Sequence, residues 1–422
     1  MRKYFISLHV EILIVSLMSG KKRFYLLFRN ALVFFAVTSL YGWIMRMYKV
    51  WPNDFPQYGN ILQAHSHVAF LGWGFIAVTA MIIYLTDENW INQPGIIKKY
   101  KFINISLAGL LISFPIEGYK VFSIVLLTVF LIVSYLLLFD IYKRLQSEEG
   151  LEFQFMKTGI LYYYVSSIAL WAVPVIKVIY GKNTLYYEAV GFYMHFLYNG
   201  FFTLTLFGLI CLYAYRTRGY YEYYQQQKIF YKLFSISIIP TFFLVSYTLR
   251  DSHPDVLMYV SVTGASFQLL IVLYGIRLFF SFLKLRSGYM LLPLFIGFSL
   301  SYILKTLFQF LASIPVIHHE ITSYTTWLFI GYIHLFTLGF MSTSIFWLVY
   351  NFFRYKHSFF GLLSLFIGVI ISELLLFAQG GLQYFGYDSI PQFDVLMASV
   401  SFLMPFGVLL VLISHYQNSR NV

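Results

Sequence analysis

Apolar residues run through this chain in stretches of about twenty, separated by short polar breaks. The pattern repeats twelve times, near 24–47, 62–85, 100–117, 120–142, 158–180, 186–214, 228–247, 255–282, 289–313, 324–352, 358–379 and 393–416. The hydrocarbon core of a bilayer is crossed by about 20 residues of helix. In lipid, a backbone satisfies its own polar groups only as a helix or a closed barrel, and runs of this length favour the helix. The pattern therefore predicts an all-α, polytopic membrane protein with about twelve transmembrane helices. It divides the chain into a cytoplasmic or interfacial N-terminal segment (1–23), a single transmembrane domain (24–416) and a short cytoplasmic tail (417–422). The loops leave no room for a soluble domain.

Composition agrees. The chain has 59% hydrophobic and 11% charged residues and a mean hydropathy of +0.72, too little polar surface for a water-soluble globule of 422 residues. The net charge of +12 does not read as a nucleic-acid surface, because the basic residues are sorted by loop and form no stripe. With the N-terminus inside, 21 of the 29 Lys and Arg fall in inside segments, seven fall outside and Arg29 lies in the first helix. This bias predicts a multi-pass plasma-membrane protein with both termini cytoplasmic. Residues 1–20 combine a basic start with a short apolar run, but Glu11 interrupts the run and no A-x-A-like site follows. They read as an interfacial segment or as an over-extended start before Met18. The lone cysteine, Cys211, lies in an apolar run and reads as a small buried hydrophobe. No Walker phosphate loop or HExxH motif is present, which removes the usual signals for ATP-driven transport and zinc proteolysis.

Four histidines break the apolar runs: His65 and His67 on the second helix, His195 on the sixth and His334 on the tenth. Ionisable groups at membrane depth tend to face a bundle interior and mark function, and neutral imidazole ligates heme iron and copper. The three helices share one direction. His65 and His67 fall in the first turns, while His195 and His334 lie about ten residues in, about 15 Å of rise, so all four are expected in the outer half of the membrane. A heme standing between helices needs two axial ligands at similar depth. His65 and His67 are about 200° apart around their helix and cannot share one metal. The phrases HSHVAFLGWGFIAV, HFLYNGFFTLTLFGL and HLFTLGFMSTSIFWL, each starting at a histidine, recur four helices apart as a faint internal echo.

With these motifs the chain resembles the catalytic subunit of the heme-copper oxidases, a superfamily that includes nitric oxide reductases. IGYIHLFTLGF (330–340) is similar to the tenth-helix motif of the high-affinity branch, and AHSHVAFLGWG to the low-spin heme helix. The resemblance implies one heme b, or two, with His334 and either His67 or His65 as axial ligands, His67 preferred. It places His195 on the helix that supplies a copper ligand, as a candidate for copper or a second heme. The family's second tenth-helix histidine is Tyr332 here, and helix seven lacks the paired histidines, which leaves copper under-coordinated. Two arrangements stay open. In one, His65 and His195 serve a second heme or metal site, with Tyr332 or Tyr198 assisting. In the other, a single bis-histidine heme transfers electrons or senses a gas, as in the NnrS-like heme membrane proteins.

Glu117, Glu373 and Lys305 lie in or near membrane helices and read as proton-relay or propionate-pairing candidates, with snorkelling or a mutual salt bridge as the competing reading of Lys305. Arg46, Lys49 and Trp51 could meet propionates or anchor the surface. His253, His318 and His319 fall in outside loops. The expectation is a membrane heme b protein of respiratory electron transfer or O2/NO chemistry, an oxidoreductase if catalytic, with membrane lipid and an electron-donor cytochrome or quinol as partners. The competing class is a heme-free transporter or channel whose histidines line a proton or substrate path.

Overall fold

A computed structural model describes residues 18–52, 56–218, 224–249, 255–283, 291–315, 317, 326–353 and 358–419. Residues 1–17 and the loop histidines His253, His318 and His319 fall outside these. The described residues form twelve long helical passages and no strand: α1 (Gly20–Val50), α2 (Tyr58–Thr86), α3 (Pro94–Glu117), α4 (Val121–Gln146), α5 (Leu151–Tyr180), α6 (Thr184–His195, Phe196–Phe202, Thr203–Arg218), α7 (Tyr224–Thr241, Phe243–Leu249), α8 (Asp255–Leu283), α9 (Leu291–Ser313), α10 (Thr326–Phe353), α11 (Phe359–Tyr384) and α12 (Phe393–Ser401, Leu403–Ser419). This is an all-α polytopic membrane fold. Eleven passages are long and apolar enough to cross a bilayer; α3 falls short because Lys98, Lys99 and Lys101 crowd its start and Glu117 its end.

The chain forms two compact units. The first takes Met1–Leu145, Lys356–Ser372 and Gln392–Val422; the second takes Gln146–Tyr355 and Glu373–Pro391. In the first, α1 packs along both α2 and α12, and α2 also meets α3. Trp73 of α2 is 1% exposed and stacks on Phe35 of α1, with centroids 4.6 Å apart and planes 9° from parallel. Charged contacts gather at one end of this unit. There Lys99 pairs with Asp140, Arg144 lies 3.6 Å from Asp87, and the Arg23 guanidinium donates to Asn92. The opposite ends of α2 and α3 hold His65, His67 and Glu117.

In the second unit α5 packs on α6, α7 on α8, α8 on α9 and α9 on α10. The degree of enclosure separates the helices. Buried residues make up 89% of the apolar stretch of α2 and 94% of that of α6, against 33% for α4, α5, α7 and α8; α10 stands between at 56%. Helices of the second kind turn a broad apolar face outward, as α4 does with Phe122, Ile132, Leu136 and Phe139. The helices that carry His65, His67, His195 and His334 are thus the best enclosed.

Lipid is as apolar as a leucine side chain, so helices in a membrane are held by close packing more than by expulsion of water. Truncating Trp73 opens a cavity beneath Phe35 and Phe28, its other ring neighbour. Trp73→Ala is expected to cost about 3–5 kcal/mol, measured as a lowered thermal midpoint in detergent. Trp51→Ala, at a position 76% exposed, should leave the midpoint within error, and equal losses would contradict this packing.

Candidate functional site

Each of the three echoing phrases forms a π-helical turn. The wide turn spans Ala69–Gly74 in α2, Phe196–Phe202 in α6 and Leu335–Ser342 in α10. In α6 and α10 it begins directly after His195 and His334, and in α2 it begins two residues after His67. A π turn shifts hydrogen bonding from i−4 to i−5, and such turns are concentrated at functional sites. Hydroxyl side chains brace two of them. Thr203 Oγ1 donates to Tyr198 O at 2.7 Å, Ser342 Oγ to Thr337 O at 2.7 Å and Thr343 Oγ1 to Leu338 O at 3.0 Å, each reaching back five residues.

In the first unit the two α2 histidines have different surroundings. His65 Nδ1 lies 2.8 Å from the Thr38 carbonyl of α1. A carbonyl only accepts, so Nδ1 carries the hydrogen and the lone pair of the neutral ring falls on Nε2. Gly42, one turn further along α1, lets the ring approach: a Cβ there would sit 2.8 Å from His65 Cε1. His67 Nδ1 donates to Gln63 O, one turn back on its own helix, at 2.9 Å, and its Nε2 accepts from the Tyr119 hydroxyl at 2.7 Å. Tyr119 reaches this position from the turn after α3, where Gly118 takes φ +65°, a value that favours glycine, and a Cβ there would collide with Asn60. Glu117 Oε1 accepts from both the backbone N–H and the hydroxyl of Ser123, each at 3.0 Å, and so caps the start of α4.

In the second unit His334 Nδ1 faces Glu373 Oε1 of α11 at 3.9 Å. Glu373 is 8% exposed. His195, also 8% exposed, is engaged at both ring nitrogens. Its Nε2 donates to Ile238 O of α7 at 2.8 Å, and its Nδ1 accepts from Asn199 Nδ2 at 3.2 Å. The Ile238 carbonyl is available because α7 breaks after Pro240. There the Phe242 N–H turns to Ile239 O at 3.2 Å, abandoning the i−4 carbonyl. Lys305 of α9 donates to Asn199 Oδ1 and, at 2.7 Å, to Gln309 Oε1. It is 1% exposed and pairs with no carboxylate among the described residues, so neither snorkelling nor a salt bridge accounts for it. Tyr332 joins the same group, donating to Gln309 Oε1 at 3.2 Å.

No family model matches the chain, and no curated protein matches it. Among the described residues, no three His, Cys, Asp or Glu side chains gather as a metal-ion cluster. Sequence reading missed several participants. Thr38, Gly42, Tyr119 and Asn199 are ordinary in composition, and only their contacts mark them. His415, fully buried in α12 with Nε2 donating to Tyr25 O at 2.9 Å, was also passed over; a single histidine in the apolar run VLLVLISHYQ was the available signal.

Asn199 serves two buried groups at once, so Asn199→Leu deprives Lys305 of an acceptor and His195 of a donor. The expected cost is about 3 kcal/mol, read as a lowered thermal midpoint in detergent. Asn104→Leu removes only a bond to the Tyr100 carbonyl of its own helix and should cost far less. An Asn199 variant as stable as the Asn104 variant would contradict the cluster.

Proposed function

We propose that the protein is an integral membrane heme b protein of the heme-copper oxidase superfamily, acting in electron transfer or small-gas chemistry, with His334 and His65 as the candidate iron ligands. The observation that supports this reading is the state of the two rings. Each turns Nδ1 toward an acceptor, the Glu373 carboxylate in one case and the Thr38 carbonyl in the other. At His65 the 2.8 Å bond sets the tautomer in the pattern by which a ligating histidine is oriented; at His334 the carboxylate faces Nδ1 from 3.9 Å without bonding it. Both side chains therefore fit the group.

The preference passes from His67 to His65, because the His67 lone pair is already capped by the Tyr119 hydroxyl. The proposal does not extend to copper or a second heme at His195, where binding would require giving up the bond to Asn199 or to Ile238. Heme iron held by imidazole supplies one-electron transfer. The roles of this chain's own residues follow from their contacts: Thr38 orients His65, Gly42 leaves room for its ring, and Glu373 places a carboxylate 3.9 Å from His334 Nδ1. A cytochrome or quinol donor is the proposed partner.

Membranes containing the overexpressed protein should give a reduced-minus-oxidised b-type spectrum. His334→Ala and His65→Ala should each abolish it, whereas His67→Ala and His195→Ala should retain it. If His67→Ala loses the spectrum and His65→Ala keeps it, the ligand assignment reverses. Folded, heme-supplemented protein with no such band would overturn the heme reading and return the histidines to a heme-free transport path. Glu373→Gln removes a carboxylate that favours the oxidised iron, so the midpoint potential should rise in a redox titration.

A further inference from the structure

Lys305 sits near the middle of α9, and among the described residues its amine meets only neutral partners. Two are amide oxygens, on Asn199 and Gln309. Two are ring faces, with the nitrogen 5.8 Å from the Tyr302 centroid and 5.7 Å from that of Tyr332. A neutral amine has two N–H groups, and both acceptors are in place for them. An ammonium has a third hydrogen and a charge, for which the two tyrosine faces offer cation–π contact. Both forms therefore fit the same position without either acceptor moving. A lysine kept permanently charged at this depth would be expected to face a carboxylate. A side chain needed only to fill space would be expected to be methionine or leucine.

The amide groups around the amine are hydrogen-bonded in turn. Because Lys305 holds Asn199 by its oxygen, the amide nitrogen is turned to His195 Nδ1, and the His195 hydrogen is left on Nε2, facing Ile238 O. On the other side, Gln309 Nε2 donates to Gln268 Oε1 at 2.8 Å, and Gln268 Nε2 lies 3.4 Å from Ser237 Oγ, one residue before Ile238. Groups from α6, α7, α8 and α9 thus surround the amine, with the Ile238 carbonyl and the Ser237 hydroxyl linked through the α7 backbone. Among the described residues, the titratable groups facing it are His195 from α6, Tyr302 from α9 and Tyr332 from α10. The groups from α7 and α8, Ser237, Thr241 and Gln268, do not titrate in the ordinary range.

We propose that Lys305 is a reversible proton-binding site inside the membrane: its amine exchanges one proton with solvent while Asn199 and Gln309 keep it in register. The ammonium loses H+ to water and leaves a neutral amine, with both acceptor bonds retained and no redox change. The proposal is independent of the heme reading.

The test uses the full-length protein in detergent. Thermal midpoints are followed by tryptophan fluorescence from about pH 5 to about pH 10, the span between ordinary histidine and lysine titration, for wild type, Lys305→Met, Lys305→Gln and Lys305→Arg. Groups shared by all four proteins cancel in the differences. The wild-type-minus-Met and wild-type-minus-Arg differences should both shift by several degrees and in the same sense over the part of the span where the amine titrates, because neither methionine nor guanidinium changes protonation there. If Lys305→Met does not fold, Lys305→Gln takes its place as the variant that cannot titrate. Differences that stay flat across the whole span would show an amine charged at every pH, and differences that drift evenly from end to end would show one neutral at every pH; either outcome overturns the proposal.

Discussion

Inside a bilayer, a polar group that the chain itself does not satisfy has no water to turn to, and the internal organisation of this protein follows from that constraint. Four buried or partly buried imidazoles each meet it by reaching a backbone carbonyl: His65 that of Thr38, His67 that of Gln63, His195 that of Ile238 and His415 that of Tyr25. A carbonyl within a regular helix already has a partner. At Ile238 the helix is broken next to Pro240 and the carbonyl is released. The same demand accounts for the hydroxyls that reach back across the π turns of α6 and α10.

Tautomers follow from these bonds, and chemistry follows from the tautomers. A ring that gives its Nδ1 hydrogen to a carbonyl carries its lone pair on Nε2, and what that nitrogen meets next decides the ring's role. At His67 it meets a phenol. His195 has the opposite arrangement, with Nε2 donating and Nδ1 accepting from an amide whose orientation is set by Lys305. Histidines that look alike in sequence are therefore distinct chemical objects. The neighbours that distinguish them were brought together by packing on the two most enclosed helices.

The helices were legible because run length is a one-dimensional property: twelve apolar runs became twelve helical passages, with shifts at the ends where Ser19 and Asn183 cap α1 and α6 earlier than hydropathy alone suggested. The recurring phrases were legible as an echo, but the π turns they form were not, since a widened turn leaves no change in period over so few residues. The partners were beyond reach. Thr38, Tyr119 and Lys305 lie 27, 52 and 106 residues from His65, His67 and Asn199, the groups they bind. No local pattern links them. Lys305 was the clearest case, since a lysine near hydrocarbon reads by default as one that snorkels or pairs, and only its burial beside neutral oxygens separates it from that.

A π turn amounts to one residue more than an α-helix needs, held in place by bonds that reach five back instead of four. Removing a single residue from Phe196–Phe202 or Leu335–Ser342 would let the segment close into a plain α-helix at little local cost. Lost from a plain α-helix, one residue would turn everything beyond it by about 100° and shift it by about 1.5 Å; here closure of the wide turn takes up most of that change, and the helix beyond nearly keeps its place. The wide turns of α6 and α10 therefore act as slack in the helix: each seats one extra residue directly after a histidine while the packed aromatic face beyond stays in register, which no substitution at a single position could reproduce.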